Sequence, residues 1–180
     1  MKRSGINKAE RKYLPDFVYG GIDGVVTTFS IVAGVTGASL SAAVVLILGF
    51  ANLFADGFSM GISTYLATKS EIEIHKRHRH REYDIKNPRK SAIATFFSFL
   101  IVGFIPLLPF VIAPFSLIVE QNKFLLSFVF TAVALIIIGA VKGEVVNKHF
   151  LRSSFETLLI GGVAAFISFI VGYLIRGIVG

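Results

Sequence analysis

The 180-residue chain contains no cysteine and no tryptophan. Without cysteine there is no disulfide framework, no thiolate metal site and no thiol nucleophile. Without tryptophan, anchoring at a membrane–water interface falls to Tyr13, Tyr19, Tyr65, Tyr83 and Tyr173. Acidic residues are few, 11 against 18 Lys and Arg. No H-E-x-x-H and no Gly-rich phosphate loop occurs, so no catalytic machinery is visible and the chain is not read as an enzyme. The opening residues, MKRSGINKAERKYLPD, are polar and basic, with no small-residue cleavage site after the first apolar run. No removable leader is therefore expected.

Apolar residues are abundant instead, 54% of the chain, where a soluble domain carries about 45–50%. They fall into five runs, about 19–38, 42–68, 91–113, 124–141 and 155–175. Runs of about 18 residues or more are long enough to cross a bilayer. The runs fill most of the chain and leave no room for a separate soluble domain. The expected fold is an all-α membrane protein, a single transmembrane domain over 1–180 with five helices and a short loop at 69–90.

The net charge of +7 is used up by the same arrangement. Five Lys/Arg lie in the N-terminal tail, eight between Lys69 and Lys90, and three at Lys142, Lys148 and Arg152, leaving only Lys123 and Arg176 elsewhere. With five spans the first three groups share one side of the membrane. Basic residues mark the cytosolic side, which puts the N-terminus inside and the C-terminus outside. No nucleic-acid partner is needed to explain the charge.

Span one ends in GASLSAA, a turn so short that spans one and two form an antiparallel hairpin. Span two is long, and its end, TKSEIEIHKRHRHREYD, reads as a helix continuing into the cytosol. Gly20 with Gly24, and Gly57 with Gly61, form G-x-x-x-G pairs. Such pairs let helices approach closely in lipid, either within one subunit or across a homodimer built on the small-residue faces of helices one and two. Pro106 and Pro109 should kink or end span three, and Pro114 should terminate it. Span four is nearly featureless, which predicts lipid exposure and a scaffold role.

Two acids stand inside runs otherwise written for lipid: Asp23 in span one and Asp56 in span two. A charge near the bilayer centre costs about 3 kcal/mol or more, so it faces a bundle interior, a water-filled cavity or a cation. Asn52, Asp56, Ser59, Met60 and Ser63 share one helical face, as do Asp16, Asp23, Thr27 and Ser30. Counted from the inner boundary, Asp23 should lie roughly 8 Å deep, Met60 roughly 12 Å and Asp56 roughly 18 Å. Asp16 would then stand at the inner mouth of a path through these stations. Oxygen ligands alone suit Mg, Ca and Mn, and a thioether adds some preference for softer ions. Fe(II) and Mn(II) fit that set, whereas zinc and Cu(I) are less favoured without cysteine or an intramembrane histidine. An intramembrane acid also binds a proton when the metal leaves.

A second cluster, Glu71, Glu73, His75, His78, His80, Glu82 and Asp84, is interleaved with Lys76, Arg77, Arg79 and Arg81. It reads either as a divalent-cation collector or as a solvated segment touching anionic lipid. A third set joins Lys142 and Glu144 at the end of span four to Glu156 at the start of span five. It reads as an interfacial ion pair, or more sharply as a gate or proton relay.

The stretches GGIDGVVTTFSIVAGVTGAS, NLFADGFSMGISTYLATKSE, IPLLPF, GAVKG and ETLLIGG occur in order along the five spans. In combination they resemble the vacuolar iron transporter family, which includes the nodulin-like proteins. The resemblance implies a five-helix dimer that moves Fe(II), often Mn(II), out of the cytosol in exchange for protons. Its path would lie at the dimer interface, lined by helices one and two. The family's span-one aspartate falls on Asp23, the acid seven residues earlier on Asp16, and the span-two methionine on Met60. Two departures stand out. Plant-type members carry a glutamate where this chain has Asn52, and Asp56 is the nearest carboxylate that replaces it. Their long Glu-rich cytosolic region is cut here to about 20 residues, with Glu71 and Glu73 matching only its beginning.

The expectation is therefore a homodimeric exporter of Fe(II) or Mn(II), with no permanently bound cofactor. Asp23, Asp56 and Met60 are its main ligands, with Asn52 in support. A prokaryotic plasma membrane fits the lack of a targeting signal. The rival readings are a non-transporting membrane metal sensor or scaffold using the His/Glu loop, and an organic-cation carrier with Asp23 and Asp56 as counter-ions.

Overall fold

A computed structural model describes residues 12–77 and 86–179. The order is α1 (Leu14–Gly37), α2 (Ala42–Arg77), α3 (Pro88–Gly103), α4 (Leu108–Ile112), α5 (Leu117–Val145) and α6 (Phe150–Val179). Single 3-10 turns, Ile105–Leu107 and Ala113–Phe115, flank the short α4. Five stretches are long and apolar enough to cross a membrane: Leu14–Gly37, Ala42–Lys76, Pro88–Phe115, Leu117–Val145 and Phe150–Ile178. The chain is thus an all-helical, integral membrane protein by length and composition.

The helix ends follow local chemistry. Pro15 sits in the first turn of α1, where its missing N–H costs nothing. The helix accordingly starts at Leu14, ahead of the run expected from residue 19. Asn87 caps α3: its Oδ1 accepts from the Arg89 N–H at 3.0 Å and the Lys90 N–H at 3.4 Å, with Pro88 next to it. The α2 helix runs past its apolar segment to Arg77, as its polar end suggested.

Pro106 and Pro109 break span three but do not end it. Gly103 closes α3, and the chain continues as 3-10 turn, α4 and 3-10 turn up to Phe115. The break is held from outside by Ser127, whose Oγ donates to the Pro106 carbonyl at 2.7 Å; Thr131 Oγ1 donates within its own helix, to the Ser127 carbonyl, at 2.7 Å. Ser127 and Thr131 are fully buried. That corrects the expectation of a featureless, lipid-exposed span four. One stripe of α5, through Ser127, Thr131, Leu135, Ile138 and Gly143, faces protein.

The centre of the bundle is α1. It packs chiefly on α3 and α6, then on α5, and least on its hairpin partner α2, which rests mainly on α3. The glycines explain the closeness. A Cβ added to Gly24 would lie 2.5 Å from the Phe99 carbonyl oxygen, and one on Gly37 would lie 2.2 Å from that of Phe169. Gly57 and Gly61 of α2 also face α3, with Phe99 Cδ1 and Phe96 Cβ each 3.3 Å from an added Cβ. Both G-x-x-x-G pairs are therefore spent on packing within the subunit, not on a face open to a second copy.

Contacts fix which ends lie together. The Asn87 N–H donates to the Tyr13 hydroxyl at 3.1 Å, joining the starts of α1 and α3. At the other end Arg176 of α6 hydrogen-bonds Ser39 in the turn after α1.

Candidate functional site

The two helices that carry the acids meet in a simple register. Asp23 is fourteen residues from the turn-side end of α1, and Asp56 is fourteen residues from the turn-side end of α2. Both therefore lie about 21 Å along their helices from the 38–41 turn. Counted from the turn the two acids are level, whereas counting from the inner ends of two apolar runs of unequal length gives roughly 8 Å and roughly 18 Å. Asp23 and Asp56 are near enough for their charges to interact. One turn toward the hairpin, Thr27 and Asn52 are level with each other, each ten residues from the turn-side helix end. Thr27 Oγ1 donates to the Asp23 carbonyl at 2.8 Å. The Asn52 Nδ2 is buried and makes no hydrogen bond, an amide whose donor the fold leaves unused.

The side chains differ in exposure. Asp23 is half-buried, whereas Asp56, Ser59 and Ser63 lie on the exposed side of α2. Met60 is half-buried and packs against the cluster that includes Phe29, Leu53 and Phe99. Around Asp56 the open face of α2 carries Phe54, Phe58, Ile62 and Leu66, between 46% and 65% exposed. A polar stripe bordered by large apolar side chains thus lies on the outside of the single chain.

Asp16 is placed at the opposite end of α1 from the 38–41 turn, and it is already paired. Lys86 Nζ lies 2.9 Å from Asp16 Oδ1. The other oxygen, Oδ2, is buried and has no partner. Lys86 is the residue that sequence reasoning missed, having been counted only among the basic residues of one side. Its neighbours Asn87 and Pro88 form a helix-start signal that fixes Lys86 beside the first turn of α1.

The remaining candidates separate from these. Glu71 and Glu73 are exposed on the last turns of α2, and His75 Nδ1 donates to the Glu71 carbonyl at 2.8 Å. His78, His80, Glu82 and Asp84 lie outside the described residues. Lys142 and Glu156 form an ion pair at 3.5 Å between α5 and α6, while Glu144 is exposed. Among the described residues no group of three or more His, Cys, Asp or Glu is gathered as a metal cage. The two intramembrane carboxylates, Asp23 and Asp56, therefore stand without a third acid or histidine beside them among the described residues.

Comparison with known proteins gives a consistent match. The chain is 27% identical over 229 aligned residues to a vacuolar iron transporter of Toxoplasma gondii, covering 93% of this chain and 76% of that protein. It is 28% identical to vacuolar iron transporter 1 of Arabidopsis thaliana, covering 89% of this chain and 85% of that protein. A Plasmodium berghei vacuolar iron transporter is 23% identical over 97% of this chain and 86% of its own length. The alignment with the Toxoplasma protein runs longer than the 180-residue chain, so that relative carries residues this chain lacks. The VIT family model matches in two stretches, residues 14–86 and 82–173, which meet in the connection between α2 and α3. Span one through most of span five is covered, and the chain belongs to the VIT family.

Proposed function

We propose that this protein is a divalent transition-metal transporter that exports Fe(II), Mn(II) or both from the cytosol in exchange for protons. The observation that carries the reading is the Asp23–Asp56 pair, level with each other on two membrane-crossing helices and close enough to interact. Two like charges near each other repel. A divalent cation or protons relieve that repulsion, so one site serves both species in turn. Relatives named as vacuolar iron transporters support iron as cargo. The Met60 thioether adds a preference for softer ions over Mg and Ca. Asn52 and Thr27 supply neutral groups one turn further along, and Asp16 marks the mouth on the cytosolic side.

The transporter works as a homodimer. Asp56, Ser59 and Ser63 on an open membrane face would be costly against lipid, and a second copy of α1 and α2 covers them. The path then lies between the two subunits, each contributing its aspartate pair. The basic ends of the helices face the cytosol, in a prokaryotic plasma membrane.

The test is flux in liposomes under an imposed pH gradient. Fe(II) and Mn(II) movement should depend on the gradient and collapse in Asp23→Asn. Gradient-driven uptake of an organic cation with neither metal moving would replace this reading with the organic-cation carrier. Absence of all flux from folded, inserted protein would sink transport altogether.

A further inference from the structure

The contacts around Asp16 carry an inference that rests on the metal-export reading and names a control on that path. Three hydrogen bonds or ion pairs tie the start of α1 to the start of α3. Lys86 Nζ meets Asp16 Oδ1 at 2.9 Å, the Asn87 N–H meets the Tyr13 hydroxyl at 3.1 Å, and Thr95 Oγ1 meets the Asp16 carbonyl at 3.4 Å. Two of these use backbone or hydroxyl groups and simply hold the helices together. The third puts a cation on the carboxylate that lies at the mouth of the path. The Asp16 side chain is only 16% exposed, and its Oδ2 is buried with no partner. One carboxylate oxygen is therefore engaged by the protein's own ammonium, and the other makes no hydrogen bond.

Lys86 is not a free surface lysine that fell on an acid. It directly precedes the Asn87 cap, whose side chain is committed to the Arg89 and Lys90 amides. The cap holds the lysine's backbone in place and leaves the flexible stem as its only moving part. We propose that Lys86 is a tethered substitute for the cargo: its ammonium occupies the Asp16 carboxylate when no metal is present and is displaced by an arriving divalent cation. At equal distance a divalent ion attracts a carboxylate about twice as strongly as an ammonium does. Singly charged ions have no such advantage over the tethered group. Lys86 thus sets a threshold for entry and discriminates by charge, before the cation reaches Asp23 and Asp56.

The lack of native cysteine makes a charge-restoration test clean. Lys86→Cys is reconstituted in liposomes, and Fe(II) flux, with ascorbate keeping the iron reduced, is followed as a function of metal concentration. The KM should fall about two- to fivefold relative to the unmodified chain, the range expected for losing a partly exposed ion pair. Treatment of the same vesicles with 2-aminoethyl methanethiosulfonate returns an ammonium to position 86 and should raise KM again. The neutral methyl methanethiosulfonate should leave it low. In an Asp16→Asn background the two reagents should act alike.

Because the two reagents are compared on one folded preparation of Lys86→Cys, a folding defect cannot imitate their difference. If KM in Lys86→Cys stays level or rises, or both reagents shift it equally with Asp16 present, Lys86 is only a structural clamp and the proposal is overturned. No flux from the unmodified chain would overturn the transport reading itself, and this inference with it.

Discussion

The helices α1 and α2 each bring one aspartate to the same level, yet they are built in opposite ways. Over half of the α1 membrane segment is buried, 56%, against 22% for α2. Glycines press α1 against the backbone of α3 and α6 on two sides. By contrast, α2 leans on α3 through small residues and leaves Phe54, Phe58, Ile62 and Leu66 uncovered. One half of the acidic pair is therefore fixed by the chain's own core, and the other half lies on its exposed side. In lipid there is little hydrophobic drive for helices to associate, so close small-residue contacts decide which helix is rigid. The same residue type should then behave very differently on the two helices.

The largest expected effect is at Gly24. In Gly24→Ala the new Cβ meets the Phe99 carbonyl, which belongs to the backbone of α3 and cannot move aside. A loss of about 3 kcal/mol or more is expected, seen as aggregation or a strongly lowered melting temperature in detergent. Gly61→Ala on α2 meets the nearest atoms at 3.3 Å and should cost less than about 1 kcal/mol. Equal tolerance at the two positions would break the contrast between a fixed and an uncovered helix.

Next in size is the open face. Ser59→Trp should shift the protein from dimer to monomer in detergent, by light scattering or crosslinking, because it obstructs the face assigned to the second copy. Phe166→Trp changes a side chain that is 66% exposed on α6 and should leave the dimer intact. Loss of the dimer from the α6 change alone would move the interface away from α2.

The smaller effects sharpen how α1 is held. Ser168 Oγ of α6 donates to the Ser30 carbonyl at 2.6 Å, and Ser168→Ala should cost about 0.6 kcal/mol, a typical interhelical value in membranes. Lys142→Ala breaks a partly exposed pair at 3.5 Å and should change stability by less than about 1 kcal/mol. Both are read by thermal melting.

Much of this was legible in the sequence, and the misses have physical causes. Long apolar runs fixed the number and order of the crossings, since only length and polarity matter for that. The start of α1 was misplaced because Asp16 looks like an end to an apolar run. In the fold it is carried inside the helix by an ion pair to Lys86, 70 positions away in the chain. The glycine pairs were visible, but spacing does not name the neighbour, and both faced α3. Span four looked plain because Ser127 and Thr131 are only two hydroxyls among apolar residues. Ser127 gains its value from the Pro106 carbonyl that the proline-broken segment offers, while Thr131 bonds back within its own helix. The polar stripe of α2 was readable by periodicity, whereas its position on the outside of the chain was not.

The central claim is that Asp23 and Asp56 act as one site. Fe(II) and Mn(II) flux should be compared in liposomes for Asp23→Asn, Asp56→Asn and the double variant. A single site predicts that either change alone abolishes flux nearly as completely as both together. Full flux after either single change, or losses that simply add in the double variant, would show two independent groups and contradict the account.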